Sequence, residues 1–465
     1  MTEIKRVRWL FGLFAALLMS SGLHAEDLLQ VYHLAQAHDA KYQAALVKYK
    51  GDLQTLAISR SRYLPNVTLT GRIGGNEYDS DQPDISHLNI NGCLDITCIA
   101  TRVGVLQGAG THSTYTSRQA ILLLTQTIYD ASLLADNSKA RAFIEKSQQE
   151  LLEAEKELMM RVVAAYLSVL KASEQKRFLR ARLDRLDILQ AYAKKRRQLG
   201  VGNEKELLEA SVMYDTQLIA LEAVNSQQQL GLQKLAQIAG QPVTVAKGLS
   251  EALPVDQIRK QSAENWLQQA RDNNHGIQAA RAMEQVSYFD WKGKQHAWWP
   301  KINFAASYIN ENYSGGQGFS PEANTVAYGI EMRWPLYQGG GVSAAGKQSA
   351  LRLQESQEQV KQLEQQVDNA VLGLVLAIQS DKKRYELIGK QVEPAMALEQ
   401  VGKKAYENGS GTFLQWCDAE KQSSDIRQQL SAVRYDYIEH RLGLLRLTGE
   451  LSQQDVEWVN GWLMN

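Results

Sequence analysis

IYDASLLADNSKARAFIEKSQQELLEAEKELMMRVVAAYLSVLKASEQKRFLRARLDRLDILQAYAKKRRQLG, residues 128–200, runs without proline or glycine until Gly200 closes it. Ser132 to Leu199 alone is 68 residues, and at about 1.5 Å of rise per residue a continuous helix over that run is a rod of about 100 Å. A globular domain does not cover such a rod, so it needs other rods beside it. The apolar spacing indicates how they pack. Ile144, Leu151, Leu158 and Ala165 step by sevens, with Ser147 and Ala154 three residues after the first two, which is a heptad seam containing small residues.

The same seam recurs 209 residues later as Leu353, Val360, Val367 and Leu374, with Ser356 and Leu363 three residues on. It lies in a second glycine-poor run, Val342 to Asn408, that ends at Gly409. Gly200 matches Gly409, Ala210 matches Ala419, and the approach Ile128-Tyr129 matches Leu336-Tyr337 at a displacement of 208. The chain therefore reads as an internal duplication. Its expected parts are a signal peptide over 1–25, a first repeat over 26–242 in the order helix, strand, strand, long helix, helix, a linker over 243–261, and a second repeat over 262–465 with a short C-terminal tail.

The signal reading rests on Lys5, Arg6 and Arg8 ahead of an apolar core from Trp9 to Met19, with Leu23-His24-Ala25 offering a small residue for cleavage. That core is too short to span a bilayer, and no other stretch approaches about twenty apolar residues, so no transmembrane helix is expected. No cysteine follows the cleavage point, which argues against an N-terminal lipid anchor. Taking the three basic and one acidic residues of the signal from 51 Lys+Arg and 51 Asp+Glu leaves a net charge of −2, and no nucleic-acid partner is indicated. Three cysteines suit an oxidising compartment with little reliance on disulfides. Cys93 and Cys98 lie in a polar segment from Tyr78 to Thr114 and form the expected disulfide; as zinc ligands they would need two further partners. Cys417 is left over as a small buried residue.

Residues 26–64 read as helix, broken at His38-Asp39 and stopped by Pro65. Then the period changes. Val67, Leu69, Gly71 and Ile73 alternate with Thr68, Thr70 and Arg72, and a second strand, about Thr116 to Tyr129, returns to the long helix. A further helix runs from about Asn203 to Ile238 before Gly240-Gln241-Pro242. The second repeat opens with a helix over about 262–299, ended by Trp298-Trp299-Pro300. Ile302, Phe304, Ala306 and Tyr308 then alternate with polar or small residues, and Val326, Tyr328, Ile330, Met332 and Trp334 alternate with Ala327, Gly329, Glu331 and Arg333. A charged face opposite an aromatic one fits a membrane barrel with a wet lumen, although in a soluble sandwich the charges would simply face solvent.

Four strands per chain cannot close a barrel around anything, and the long helices lack a covering layer within one chain. Ring-shaped homo-oligomerisation cures both shortages. Trp298, Trp299, Trp334 and Tyr337 then fall where strands become helices, as an interfacial aromatic belt requires.

These residues resemble the TolC-type outer-membrane efflux proteins, a resemblance that covers nearly all of the mature chain. It is carried by Leu124-Thr125-Gln126-Thr127-Ile128-Tyr129-Asp130, Trp334-Pro335-Leu336-Tyr337-Gln338-Gly339-Gly340, Tyr406-Glu407-Asn408-Gly409, Pro65 and Pro300, in order and within the duplicated arrangement. It implies a mainly α protein with membrane β: a homotrimer whose twelve-stranded β-barrel, four strands per chain, sits in outer-membrane lipid. The barrel would continue into a long α-helical coiled-coil tunnel across the periplasm. The implied partners are a periplasmic adaptor and an inner-membrane transporter of the ABC or RND type, and the implied cargo is protein, small toxic compounds or both. Adaptor docking is implied at the two tips marked by Gly200, Gly202, Gly409 and Gly411. At the periplasmic gate the family carries two aspartates three apart, where this chain has Gln415 and Asp418, so one charged ring is missing. The family also pairs a tyrosine and an arginine of the second tip with an acidic residue of the first; Tyr406 and Glu206 match, but the arginine position is Gly411. Glu209 stands beside Glu206 as a further gate carboxylate.

No catalytic or cofactor motif is visible: the sequence lacks H-E-x-x-H, G-x-x-x-x-G-K-[ST] and G-x-S-x-G, and His33 and His38 do not share a helix face. Lys194-Lys195-Arg196-Arg197 reads most simply as a solvated helix end that suits the helix dipole. The competing functional class is a non-conducting periplasmic scaffold built from the same coiled coils. Strand polarity separates the two, because a scaffold has no reason to alternate lipid and lumen faces.

Overall fold

The computed structural model describes residues 27–80, 111–200, 202–245, 248–250, 261–314 and 322–464. The signal segment, Cys93 and Cys98 lie outside them. The chain divides into two compact units, one holding 53–142 and 285–354, the other 1–52, 143–284 and 355–465. No described helix is long and apolar enough to cross a membrane.

The first unit is built on one antiparallel sheet. β1 (Asn66–Ser80), β2 (Thr111–Tyr129), β4 (Lys301–Ser314) and β5 (Glu322–Arg333) pair in the order β1-β2-β4-β5. β2 extends further toward its start than its apolar alternation indicates, because backbone pairing with β1 continues through Ser80 opposite Thr111. β5 ends one residue before Trp334.

Directly opposed residues in such a ladder point to the same side, so the register sorts side chains into two faces. Val67, Leu69 and Ile73 share one face with Leu122, Leu124, Phe304, Tyr308, Val326, Tyr328, Ile330 and Met332. Thr68, Thr70, Arg72, Gln119, Asn303, Ser307, Glu311, Glu331 and Arg333 share the other, with Ile121, Leu123 and Ile309 as apolar exceptions. The apolar face is bare: Ile73 is 78% exposed, Tyr328 80% and Ile330 71%. An apolar surface of that extent belongs against lipid or another protein. Trp298, Trp299, Trp334 and Tyr337 are exposed at the strand–helix junctions, and the Trp334 indole N–H donates to the Trp298 carbonyl at 3.1 Å. Asp130 joins strand to helix: one carboxylate oxygen accepts from the Ser132 backbone N–H (2.9 Å), and the other meets Lys301 Nζ at 2.9 Å.

Helix makes up most of the rest: α1 (Leu28–His38), α2 (Ala40–Asp52), α3 (Gln54–Ser61), α4 (Ala131–Gln198), α5 (Glu204–Ala239), α6 (Ala263–Asn273), α7 (His275–Gln295), α8 (Gly341–Glu407), α9 (Phe413–Leu447) and α10 (Gln453–Asn460). A two-residue ladder pairs β3 (Gly248–Leu249) with β6 (Leu463–Met464). α4 is 68 residues long and α8 is 67, with Pro394 inside it.

The helix expected over 262–299 is not continuous. It breaks at Asn274, whose side-chain oxygen accepts the Ile277 N–H (3.0 Å) while its amide donates to the Leu447 carbonyl (3.0 Å). Asp39 plays the equivalent part between α1 and α2, capping Tyr42 N–H at 2.8 Å and taking both amino groups of Arg161 at 2.7 and 2.8 Å. A polar side chain that caps the next helix while its own N–H ends the previous one breaks the helix; the break at His38-Asp39 was read from the sequence, and the one at Asn274 was not.

The core of the second unit lies between α4, α8 and α9. Leu158, Val162, Tyr166, Leu167 and Leu170 of α4 meet Val367, Val371 and Ile378 of α8 and Tyr435, Tyr437, Ile438 and Leu442 of α9, all buried. Of the heptad seam and its displaced copy, Leu158 and Val367 are among these residues, with Ala165, Leu363 and Leu374 packed against them.

With Ile330 on the bare face and Glu331 on the polar one, Ile330→Arg should cost about 2–4 kcal/mol near mid-bilayer. Single cysteines along 326–333 should label alternately with a water-soluble maleimide in outer-membrane preparations. Uniform labelling would refute a lipid-facing strand.

Candidate functional site: the paired helix turns

Within the second unit, two turns of the same design stand side by side. In the first, α4 ends, Gly200 takes the left-handed conformation (φ 73°), and the Gly202 N–H returns to the Arg196 carbonyl at 3.0 Å. Asn203 then caps α5, accepting the Lys205 N–H at 3.1 Å. In the second, α8 ends, Gly409 is left-handed (φ 74°), and the Ser410 and Gly411 N–H groups return to the Ala405 carbonyl at 2.9 and 3.0 Å. Thr412 caps α9 reciprocally: its Oγ1 accepts the Gln415 N–H (3.2 Å) and its N–H donates to Gln415 Oε1 (2.9 Å). Such turns need glycine, since a β-carbon strains the left-handed residue. A Cβ at Gly202 would also lie 2.7 Å from the Arg197 nitrogen.

An apolar cluster of Leu186, Leu189, Ala210, Tyr406, Phe413 and Cys417 packs the two turns together. Tyr406 is its centre. The ring is buried, with Tyr192, Phe413 and Trp416 at 5.9, 5.7 and 5.5 Å between centroids. Its hydroxyl donates to Glu206 Oε2 at 3.3 Å. Burial, reinforced by the Glu206 charge, pushes the Tyr406 hydroxyl up to about 12, so it remains a donor at any physiological pH. The Arg196 guanidinium sits over the ring, 5.3 Å from its centroid. Arg196 thus brings to the Tyr406–Glu206 pair the positive charge absent at Gly411. Arg197 meets Glu204 at 3.3 Å across the first turn. The basic run is therefore only partly a solvated helix end, and its local composition gave no sign of Tyr406.

Gln415 and Asp418 are both exposed on α9. The Gln415 side chain is occupied in capping its own helix, as above. Glu209 lies on α5 with Lys205 at 3.7 Å. Cys417, one residue before Asp418, is buried, and burial with the Glu420 charge pushes its thiol up to about 12, which leaves it unreactive.

A charged network missed from sequence ties α4, α8 and α9 above the turns. Arg185 reaches Glu420 at 2.9 Å and Glu399 at 3.1 Å, and Arg182 lies 3.4 Å from Glu420. Burial pushes the Glu420 carboxyl up against the pull of Arg182 and Arg185. Its sequence signal is faint: two arginines three apart, with a glutamate more than two hundred residues away. Among the described residues no cluster of His, Cys, Asp and Glu could hold a metal ion.

A sheet with one bare apolar face, carried on helices of nearly seventy residues that end in stapled turns, defines the class of outer-membrane channel proteins. The profile of the outer membrane efflux protein family matches residues 31–241 and 266–450. The chain belongs to that family. It is an export duct of the outer membrane that extends into the periplasm, and the family is one of channels rather than enzymes. Among similar proteins, the alkaline protease secretion protein AprF of Pseudomonas aeruginosa is 25% identical, covering 99% of this chain and 92% of the relative. Outer membrane protein TolC of Vibrio cholerae is 23% identical, covering 99% of both. The fold is that of solved outer-membrane channels. VceC of Vibrio cholerae superposes with a TM-score of 0.71 at 15% identity, over 91% of this chain and 96% of that one. The open state of MtrE of Neisseria gonorrhoeae gives 0.67 at 17% identity, over 92% and 90%.

Gly409→Ala should cost about 1–2 kcal/mol through its left-handed backbone, and Gly202→Ala about 1–3 kcal/mol through the clash with Arg197. Amide exchange followed by mass spectrometry should show Gly202→Ala speeding exchange over 195–206 more than over 404–415. Unchanged exchange in both segments would sink the assignment of turn geometry to these glycines.

Proposed function

We propose that the chain works as a homotrimer in which three four-stranded sheets join into one twelve-stranded barrel and the long helices form a periplasmic tunnel. The observation that carries this reading is the sheet order: β1 and β5 are edges, one face is bare and apolar, and four strands enclose no pore. We further read the chain as two repeats, 26–242 and 262–465, joined by 243–261; the recurring order of helices and strands supports this. The trimer docks at its Gly200–Gly202 and Gly409–Gly411 tips with a periplasmic adaptor and, beyond it, an inner-membrane ABC or RND-type transporter. It performs no covalent chemistry of its own. Two relatives named for protease secretion, AprF and PrtF of Dickeya chrysanthemi, favour protein cargo by type I secretion over small toxic compounds.

The gate is formed by Asp418 with Glu206, Glu209, Gln415 and Tyr406. Tyr406, held by Glu206 and capped by Arg196, pins the second turn to the first and keeps the end closed. Asp418 is exposed on the helix that follows the second turn. If three copies of it face the axis at roughly 6 Å, each pair repels by about 3 kcal/mol at an effective dielectric near 20, and bound cations relieve that repulsion. Gln415, used in its cap, adds no second ring.

Mass photometry in mild detergent should find a trimer; a stable monodisperse monomer would overturn the architecture. In planar bilayers Asp418→Asn should lose nearly all block by millimolar divalent cations while still assembling, and a variant as sensitive as its parent would move the gate to Glu206 and Glu209. Arg196→Gln and Tyr406→Phe should each raise the open fraction of single-channel current. The double variant should open more than either, because one change removes the cation over the ring and the other the hydrogen bond to Glu206.

A further inference from the structure

Between α4, α8 and α9, further along the helices than the paired turns, lies a cavity of about 540 Å³. Its charged lining is mostly basic. Arg177 and Arg185 come from α4 and Arg427 and Arg434 from α9, and Glu174 is the one carboxylate among the described lining residues. That carboxylate is already occupied: its Oε2 accepts from the Ser431 hydroxyl and, at 2.9 Å, from the Tyr435 hydroxyl, while its Oε1 is shared at 3.3 Å by Arg177 and Arg434.

Arg434 is therefore held without being satisfied. Its side chain is 7% exposed, one amino group donates to the Ser250 carbonyl at 3.0 Å, and its Nε is buried with no acceptor. Arg427 gives its Nε to the Ser423 carbonyl at 3.3 Å and approaches Glu399 no closer than 3.9 Å. Arg185 reaches Glu399 and Glu420, and Arg182 lies beside Glu420, so the connected set holds five arginines and three glutamates, two positive charges in excess. Partly desolvated positive charge that no carboxylate of the chain answers is costly, and an anion from outside relieves it.

The remaining lining indicates what carries the anion. Phe178 of α4, Tyr385 of α8 and Leu430 of α9 give the cavity an aromatic and apolar wall, and its volume falls within the range of about 300–1,000 Å³ usual for small organic ligands. Inorganic phosphate would leave that wall bare. An excess of two charges suits a phosphate monoester, which carries about −1.5 to −2 at pH 7, and the arginine fork matches phosphate oxygens with two parallel hydrogen bonds. We propose that this cavity binds a small organic phosphate, its acid group between Arg427 and Arg434 and its apolar body against Phe178, Tyr385 and Leu430. Seated there, the ligand joins α4 to α9 and steadies the arrangement in which they lie together.

The test uses the full purified chain in mild non-ionic detergent at low salt, with 1-naphthyl phosphate as the probe and inorganic phosphate and 1-naphthol as its two halves. Equilibrium dialysis should find one probe bound per chain, less tightly as salt is raised, and each half bound far more weakly than the whole. Arg427 is partly exposed, so Arg427→Gln should fold and weaken probe binding about tenfold, and Arg427→Lys should recover part of that loss because the charge returns without the fork. Lys361→Gln, which removes an exposed charge outside the cavity, should leave binding unchanged. Saturating probe should slow amide exchange over 174–185 and 424–434; slowing confined to other segments would overturn the location. Inorganic phosphate binding as tightly as the probe would overturn the organic class, and 1-naphthol doing so would remove the arginines from the account. Binding undiminished in Arg427→Gln, or no binding at all, would overturn the site. Every lining residue belongs to one chain and binding is scored per chain, so none of these outcomes turns on whether the chain is a trimer.

Discussion

Backbone hydrogen bonds at the edge of a sheet in hydrocarbon govern much of this molecule. A peptide group left unpaired in lipid costs several kcal/mol, and β1 and β5 each present a row of them along strands of 15 and 12 residues. Neither edge has a strand beside it among the described residues of the chain, while the face between them is apolar and bare. The helices likewise leave leucines exposed, among them Leu208 and Leu230 of α5 and Leu376 and Leu387 of α8. In the proposed homotrimer, copies of the chain set around an axis would supply strands to both open edges of the sheet.

In the proposed gate, the turns must close and yet open. Tyr406 is deeply buried, but its polar contacts are modest: one hydrogen bond of 3.3 Å and one cation over its ring. A hydrogen bond to a charged group is worth about 1.5–3 kcal/mol and a cation over a ring about 0.5–2 kcal/mol. Contacts of that size hold a conformation against thermal motion and still yield to a docking partner. In the Arg185–Glu420–Glu399 network further along the helices Glu420 is buried, so separating it from its arginine leaves a buried charge uncompensated, although Arg185 and Glu399 remain partly exposed.

Long helices and strand alternation were legible because each is a periodic property of consecutive residues. The heptad seam from Ile144 and its copy from Leu353 contribute Leu158, Val367 and other members of the core, and the alternation of 326–333 matches the faces set by the strand register. Asn274 was missed because one polar residue that caps and ends at once leaves no periodic trace. Tyr406 and Glu206 were found as a pair through resemblance, whereas Arg196 was not, since its contact depends on two turns lying side by side.

Sequence by itself determined the long helices, the four strands of the sheet and which side of each strand is apolar, because these follow from local propensity and spacing along one chain. Only the tertiary structure decided that β2 pairs with β4 between two open edges. It also decided that Gln415 spends its side chain on a helix cap and that the cation beside Tyr406 comes from Arg196. Those are meetings of residues tens to hundreds of positions apart, or choices among competing hydrogen-bond partners. Both are fixed by where the backbone brings side chains in space, which no local period encodes.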